Sequence, residues 1–137
     1  MKYELLSTRH AKYLLHAHIV FTPKYRKKIF TKEHLDLMKT VFEDICKMND
    51  ATLEELDGEA DHVHLLVLYP PRIALSVLVN SLKGVSSRRL RQNFDIFKKE
   101  YWGENVALWS RSYFVASVGG APIEILKQYI EQQKTPD

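Results

Sequence analysis

The sequence predicts an α+β fold for this 137-residue chain. The prediction depends on segments rich in branched and aromatic residues, segments with apolar residues at helical spacing, and the order in which they follow each other. An apolar content of 45% suits one domain with a single core, and no repeat or low-complexity linker divides the chain. We therefore expect one domain over residues 1–137.

The first half of the chain predicts three strands and one helix. Segment 12–23 has the composition of a strand that Pro23 closes. Segment 32–49 repeats apolar residues at helical spacing. Segments 51–58 and 62–69 predict two strands, and the short stretch between them makes these strands antiparallel neighbours.

The second half of the chain adds two helices and a strand. Residues 73–93 predict a long helix, and residues 111–118 predict a last strand that ends at Gly119-Gly120. Pro122 suits the first turn of a terminal helix over 121–137. The order β-α-β-β-α-β-α predicts a ferredoxin-like antiparallel sheet, as in RRM-like domains, with packed helices and an extra C-terminal helix that carries a tyrosine.

Charge is unevenly distributed over the chain, whose net charge is +3. Residues 1–32 carry eight Lys and Arg against one acid, and residues 72–99 carry seven against one. Between them, residues 48–71 hold six acids and no Lys or Arg. Two basic stretches around an acidic one favour a polyanion-binding surface beside a cation site, although solvated helix and loop faces would give the same counts.

The composition also restricts the compartment and the kind of metal site. The sequence shows no apolar run of membrane-spanning length and no signal-peptide pattern, so we expect a cytoplasmic protein. The single cysteine, Cys46, excludes an internal disulfide and a cysteine-rich zinc site. It lies in the helical pattern of 32–49 and is expected to be buried.

Two His-x-His pairs lie in predicted strands. His62 and His64, in the run DHVHLLVLYP, project to one face, where two neutral imidazoles can hold a divalent metal. Asp61 directly before them can bind such a metal through water or orient an imidazole. His16 and His18 form a second pair without an acid or amide nearby in sequence. We expect them to be structural or to contact substrate, and they remain the alternative metal site.

A tyrosine near the C-terminus completes the candidate site. In the segment IEILKQYIEQQ, Tyr129 and Gln133 are four residues apart and share one face of the predicted helix. Gln133 can offer its amide oxygen to a hard cation. A Mg²⁺ or Mn²⁺ ion held by His62, His64 and Gln133 would polarise a phosphate and help Tyr129 to form a phosphotyrosine linkage. The alternative is a tyrosine that is merely buried against the sheet.

Two basic clusters are candidate contacts to nucleic acid. The first surrounds an aromatic residue just after the first strand, a pattern that suits phosphates and a stacked base but also an ordinary basic turn. The second lies on helix 73–93, where cations would contact a DNA backbone or stabilise the helix C-terminus. The first cluster is Lys24, Tyr25, Arg26, Lys27 and Lys28, and the second is Lys83, Arg88, Arg89 and Arg91.

These motifs, in this order and at this length, resemble a known family. HAHIVFTPKYRKKIF, DHVHLLV and YIEQQ resemble the small TnpA-like tyrosine transposases of bacterial and archaeal insertion sequences, within the His-hydrophobic-His endonuclease superfamily. The resemblance implies that His62, His64 and Gln133 bind the metal. It also implies that Tyr129 is the nucleophile, and it leaves the role of Asp61 open.

The resemblance further implies a reaction and its partners. In this family the tyrosine attacks single-stranded DNA, becomes joined to a 5′-phosphate and leaves a free 3′-OH. The enzymes recognise hairpins near the ends of the element and act as homodimers, in which the tyrosine helix can act in trans. Gly119-Gly120 fits a hinge before a mobile helix at 121–137. The place of action would be the nucleoid DNA of a bacterium or archaeon.

Two other functions fit the same residues. A non-catalytic or domesticated relative would bind hairpins, or regulate RNA, through aromatic residues of the sheet without cutting. A replication-initiator nickase would recognise an origin instead of element ends, but such proteins often carry a helicase domain for which this chain is too short. Relaxases place the tyrosine before the histidines, so the order of motifs argues against them.

Overall fold

The computed structural model of the chain describes residues 6–7, 12–13, 15–102, 107–117 and 130–131. The architecture is α+β, as predicted, with a four-stranded antiparallel sheet and packed helices. The strands are β1 (Leu6–Ser7), β2 (Lys12–Tyr13), β3 (His16–Phe21), β4 (Thr52–Glu59), β5 (His62–Leu68) and β6 (Phe114–Ser117). The helices are α1 (Lys32–Met48), α2 (Leu75–Asn93) and α3 (Asp95–Glu100), with a 3₁₀ turn at Lys24–Arg26.

The main sheet has the strand order β4-β5-β3-β6, and all neighbours are antiparallel. This is the ferredoxin-like order that the element pattern predicts. The prediction of one strand over 12–23 is wrong in its limits. Lys12–Tyr13 pairs with Leu6–Ser7 in a separate two-stranded sheet, and β3 covers only His16–Phe21. Pro23 lacks the N–H that a continuing ladder needs, and it forms an isolated bridge instead.

One face of the sheet forms the hydrophobic core. Alternate residues of β3 and β5 pair across the strands and are almost completely buried against α1 and α2. The pairs are Ala17 with Val67, Ile19 with Leu65 and Phe21 with Val63. Cys46 on α1 belongs to this core, as predicted, and its burial raises the pKa of the thiol to about 12. Because side chains alternate along a strand, the histidines of β3 and β5 point to the opposite face.

A β-bulge in β4 decides which acidic residues lie beside those histidines. The register shifts by one residue early in the strand, and Leu56 beyond the shift packs toward the core. Asp57 then pairs with His64, and Glu59 pairs with His62. A ladder without the bulge would send these acids to the core face, since a one-residue slip inverts the alternation. The bulge therefore places carboxylates next to both histidines of β5.

Among the residues that the structure describes, none of the helices combines the length and apolar character needed to span a bilayer.

Candidate metal and DNA site

Both His-x-His pairs lie on the same face of the sheet and are joined to each other. His18 is opposite Leu66 and Val20 is opposite His64, so the two pairs are offset along adjacent strands. The Nδ1 atom of His18 lies 2.8 Å from Nε2 of His64. The two rings stack with centroids 5.0 Å apart and planes 19° apart. The pairs that the sequence presents as alternatives are thus linked through His18 and His64.

Within these two pairs, His62 has surroundings that suit a metal ion. Its Nδ1 atom lies 3.0 Å from Oδ1 of Asp61, and a neutral ring that donates this hydrogen bond keeps a lone pair on Nε2. One ligand atom from each of Glu59, Asp61 and His62 lies within 4.8 Å of the others. We call these three residues the metal cluster. Two carboxylates and an imidazole suit Mn²⁺ and, less strongly, Mg²⁺.

Sequence reasoning missed Glu59. Glu59 is the last residue of β4. The turn Ala60-Asp61 connects β4 to β5 and brings Glu59 opposite His62. A two-residue hairpin turn places the flanking residues directly opposite each other, so the shortness of the joint was a signal. Glycine suits position 58, just before this turn, because a Cβ there would lie 2.8 Å from Cδ2 of Leu35 and 3.0 Å from the backbone oxygen of His62.

His64 is not part of the metal cluster, but its environment favours a neutral imidazole, which can accept a proton or bind a metal ion. Burial lowers its pKa, and the nearby His18 lowers it further, whereas the charges of Asp57 and Glu55 raise it. The net direction is downward, so the ring is uncharged at neutral pH, which is the form that binds metals. When His64 donates its Nε2 proton to His18, the lone pair is on Nδ1.

Asp61 connects the metal cluster to the first basic cluster. Its Oδ2 atom accepts a hydrogen bond of 3.1 Å from Nε of Arg26, while Oδ1 faces His62. Burial by itself raises the pKa of the Asp61 carboxyl, but the hydrogen bonds and the positive charge of Arg26 outweigh it, and the pKa lies below its ordinary value. Asp61 is therefore an anion at neutral pH and fixes the orientation of the His62 ring.

A cleft of about 490 Å³ opens beside the metal cluster. It is lined by Arg26, Lys28, Glu59, Ala60, Asp61, His62, Ile130 and Glu131. Ile130 follows Tyr129 directly in the sequence, and its carbonyl oxygen accepts a hydrogen bond from Nη1 of Arg26. Tyr129 and Gln133, the predicted nucleophile and third ligand, lie outside the described residues, as does the predicted hinge Gly119-Gly120.

The first basic cluster lies on an unusual turn. Tyr25 and Arg26 have φ angles of 64° and 50°, in the left-handed region that side chains other than glycine rarely adopt. The buried Tyr101 holds the turn in place by donating its hydroxyl to the Lys24 carbonyl at 2.9 Å. Arg26 points inward to Asp61, whereas Tyr25 is 47% exposed.

The predicted DNA contacts of this cluster divide into engaged and exposed side chains. Lys27 donates from Nζ to the carbonyl and the carboxylate of Glu100, at 3.0 and 3.1 Å. Lys28 is exposed and lines the cleft. Trp102, two residues after Glu100, is 78% exposed and was missed by sequence reasoning. An exposed indole is a platform on which a DNA base can stack.

The second basic cluster divides in the same way. Lys83 donates to the Ser110 carbonyl at 2.6 Å, and Arg91 donates to the Tyr101 carbonyl at 2.7 Å. These two cations therefore hold other segments of the protein against α2. Arg88 is exposed and Arg89 is half-buried, so they are better placed to reach a phosphate backbone.

Comparison with known proteins decides the family. A family model described as "Transposase IS200 like" matches residues 11–133. The chain belongs to the IS200-like transposases. It is 33% identical over 131 residues to the transposase for insertion sequence element IS200 of Salmonella typhimurium, which covers 96% of this chain and 84% of the relative. It is also 33% identical over 121 residues to the ISDra2 transposase TnpA of Deinococcus radiodurans, with 88% and 85% covered.

Solved structures agree with this assignment. A crystal structure of a Deinococcus radiodurans R1 protein, assigned as a transposase, matches with a TM-score of 0.85 at 33% identity and covers 95% of this chain and 98% of that one. The REP-associated tyrosine transposase, solved bound to a REP hairpin, matches with a TM-score of 0.50 at 8% identity, covering 91% and 69%, and shares the fold. The predicted fold class and TnpA-like family are thus confirmed, and the IS200-like transposase is an enzyme that acts on DNA.

Proposed function

We propose that this IS200-like transposase cleaves and rejoins single-stranded DNA at insertion-sequence ends, using Tyr129 as nucleophile and Mg²⁺ or Mn²⁺ as cofactor. One observation carries the proposal: the metal cluster and Ile130, the neighbour of Tyr129, line the same cleft. A metal-binding donor set and the backbone next to a tyrosine thus lie on one surface. The predicted ligands His62, His64, Gln133 and Asp61, with Glu59 added, would hold the ion.

The proposed step is an exchange of phosphodiester bonds. The Tyr129 hydroxyl gives its proton to water as its oxygen attacks the phosphorus, a new O–P bond forms, and the bond from phosphorus to the 3′ oxygen breaks. The leaving 3′ oxygen takes the bonding electron pair and a proton from water. Attack by a 3′-OH on the resulting 5′-phosphotyrosine reverses these events and rejoins a strand, so that no external energy source is needed. A bound divalent ion would supply positive charge that polarises the phosphate oxygens.

The chain's own residues supply orientation and DNA binding. Asp61 fixes the ring of His62, and Lys28 on the cleft wall is placed to neutralise a phosphate. The exposed rings of Tyr25 and Trp102 suit stacking on unpaired bases. A protein of the same fold was solved with a REP hairpin, and we propose a hairpin-bearing single strand as the substrate here.

We further propose the assembly that the family resemblance implies. Residues 1–137 would form a single transposase domain that acts as a homodimer on nucleoid DNA. Its terminal segment 121–137 would be a mobile helix that docks Tyr129 at the metal cluster of its own chain, as the contact at Ile130 favours, or at that of the partner subunit when the dimer exchanges these helices.

A denaturing gel tests the proposed chemistry. Purified protein is incubated with labelled single-stranded DNA from the ends of its own element, with Mn²⁺ or Mg²⁺, and with EDTA in a parallel sample. Wild type and the control Tyr25→Phe should shift the label to the size of the protein, whereas Tyr129→Phe should not. Affinity of Tyr129→Phe for the hairpin should stay within a few-fold of wild type. Tight binding without a shifted label in wild type would contradict the proposal and favour a binding-only relative.

A further inference from the structure

The side chain of Arg26 bridges two parts of the molecule that the proposed reaction must bring together. Its Nε atom donates to Asp61 at 3.1 Å, and its Nη1 atom donates to the carbonyl oxygen of Ile130. Asp61 in turn bonds to Nδ1 of His62 at 3.0 Å. Three hydrogen bonds therefore connect a metal-cluster imidazole to the backbone directly after Tyr129.

We propose that Arg26 is a positioning residue, which docks the tyrosine segment against the metal cluster, and that this role outweighs any contact it makes to DNA. The inference depends on the proposed function, because it assigns Arg26 a part in bringing Tyr129 to the metal. The inference gives Arg26, which the sequence places among the candidate DNA contacts, a role in that mechanism.

Arginine suits such a bridge for a physical reason. Its planar guanidinium stays charged and donates from Nε and the two Nη atoms in fixed directions, so that two different acceptors can be held at once. The side chains of Arg26 and Asp61 are only 14% and 16% exposed, which reduces the screening of their charges by water. The exposed Lys28, by contrast, presents its charge to the cleft.

The backbone at Arg26 supports the same role. Two successive residues, Tyr25 and Arg26, are held at positive φ, a conformation that is costly for both. The hydrogen bond from Tyr101 to Lys24 and those from Lys27 to Glu100 hold both ends of the turn in place. Enforced strain of this kind is common where the direction of one side chain matters for function.

Loss of the bridge is expected to change the rate of the reaction more than the affinity for DNA. A nucleophile that is displaced by about 1 Å can lose about 100-fold in rate, because fewer encounters reach the reactive geometry. Binding of the hairpin uses other side chains and should remain. The expected signature is a lower single-turnover rate at saturating DNA with little change in Kd.

The kinetic experiment compares four variants of the full chain. Arg26→Gln and Arg26→Lys should each lower the single-turnover rate of adduct formation by about 100-fold, with Kd within a few-fold of wild type. Lys28→Gln should show the pattern of a DNA contact, with a raised Kd. Arg72→Gln is the matched control, because Arg72 belongs to neither basic cluster and, within the described residues, pairs with Asp50 at the exposed surface, so it should change neither quantity. A raised Kd without a lower saturated rate in the Arg26 variants would overturn the proposal.

Two further measurements do not depend on a loss of activity. Hydrogen exchange of the peptide that contains Ile130 should become faster in Arg26→Gln, with or without Mn²⁺, while exchange of α1 stays as in wild type. In Arg26→Gly, whose backbone suits the observed φ of 50°, free guanidinium should restore the rate, and sodium chloride at the same ionic strength should not. Unchanged exchange at Ile130 would refute docking.

Together, the adduct assay and the hydrogen-exchange experiment distinguish a failure of the proposed function from a failure of the positioning role. If wild type forms no adduct, the proposed function fails, and the hydrogen-exchange experiment still decides whether Arg26 docks the segment. If wild type forms the adduct and Arg26→Gln matches its rate and exchange, the proposed function stands and the positioning role is wrong.

Discussion

The two His-x-His pairs share a local pattern and a sheet face, yet their surroundings differ. His16 is 6% exposed, and its Nε2 atom lies 3.0 Å from Oε1 of Glu54. His62 is half-buried and lies with Asp61 and Glu59 at the wall of an open cleft. One pair thus begins with a buried imidazole bonded to an acid, and the other with an imidazole that a ligand can reach.

The difference shows that cross-strand neighbours, and not the motif itself, decide what each histidine can do. Both pairs gain an acid, but the bulge in β4 brings Glu54 to the buried His16, whereas the β4–β5 turn brings Asp61 and Glu59 to the open side. A metal needs both donor atoms and access. We therefore expect the ion at His62 and a structural role for His16.

The largest expected effect distinguishes the outer members of the two pairs. His62→Ala should remove metal-dependent cleavage, with a loss of at least about 100-fold in adduct formation, because the metal cluster loses its imidazole. His16→Ala should keep most of the wild-type rate in the same gel assay with Mn²⁺. The reverse result would place the metal at His16 and His18.

The second effect concerns the hydrogen bond between the pairs. His18→Ala should weaken Mn²⁺ binding by about 10- to 100-fold, because the hydrogen bond with His18 orients the ring of His64, a proposed ligand of the ion. Calorimetric or EPR titration of the DNA-free protein measures this affinity directly. Tighter Mn²⁺ binding by His18→Ala would instead mean that His18 competes with the ion for Nε2 of His64.

Sequence reasoning predicted the features that depend on local spacing. The order of the four sheet strands and the two long helices, the shared face of His62 and His64 and the burial of Cys46 all follow from periodicity and composition, and the structure confirms them. The predicted terminal helix over 121–137 lies outside the described residues except for Ile130 and Glu131. The site itself stays a prediction at Tyr129 and Gln133, which lie outside the described residues.

Features that depend on distant partners could not be predicted in the same way. The link from His16 to Glu54 spans 38 positions, and the one from His18 to His64 spans 46. The bulge that sets the register of β4 leaves no clear mark in the sequence. Nothing local in the sequence shows that the Lys83 ammonium group reaches the Ser110 carbonyl, and its contact with DNA stays a prediction.

A smaller effect tests the structural role of the first pair. Glu54→Ala should lower the free energy of unfolding by about 1 kcal/mol, because His16 loses a partly buried hydrogen bond. Glu55→Ala, at the neighbouring exposed position, should change it by less than about 0.5 kcal/mol. Urea denaturation measures both. An unchanged Mn²⁺ affinity in Glu54→Ala would agree with a structural role for His16. A large loss of affinity would show that the two pairs form one functional unit.

The smallest expected effect comes from His34, which lies outside both pairs and makes the stability of the fold depend on pH. Its Nδ1 atom accepts the Thr31 backbone N–H at 3.0 Å, and the rings of Phe94 and Phe97 meet its ring edge-on. Burial lowers the pKa of His34 below 6.5, although the charge of Glu33 and the Ile29 backbone oppose this.

Because the folded state of His34 binds a proton less readily than the unfolded state, its contribution to stability is complete above about pH 6.5 and is lost as the pH falls toward the folded pKa. His34→Gln keeps an acceptor three residues after Thr31, as capping boxes do, but cannot titrate. Wild type should therefore lose more stability than the variant between neutral pH and about pH 5 in urea titrations. Parallel stability curves would show that His34 does not titrate there.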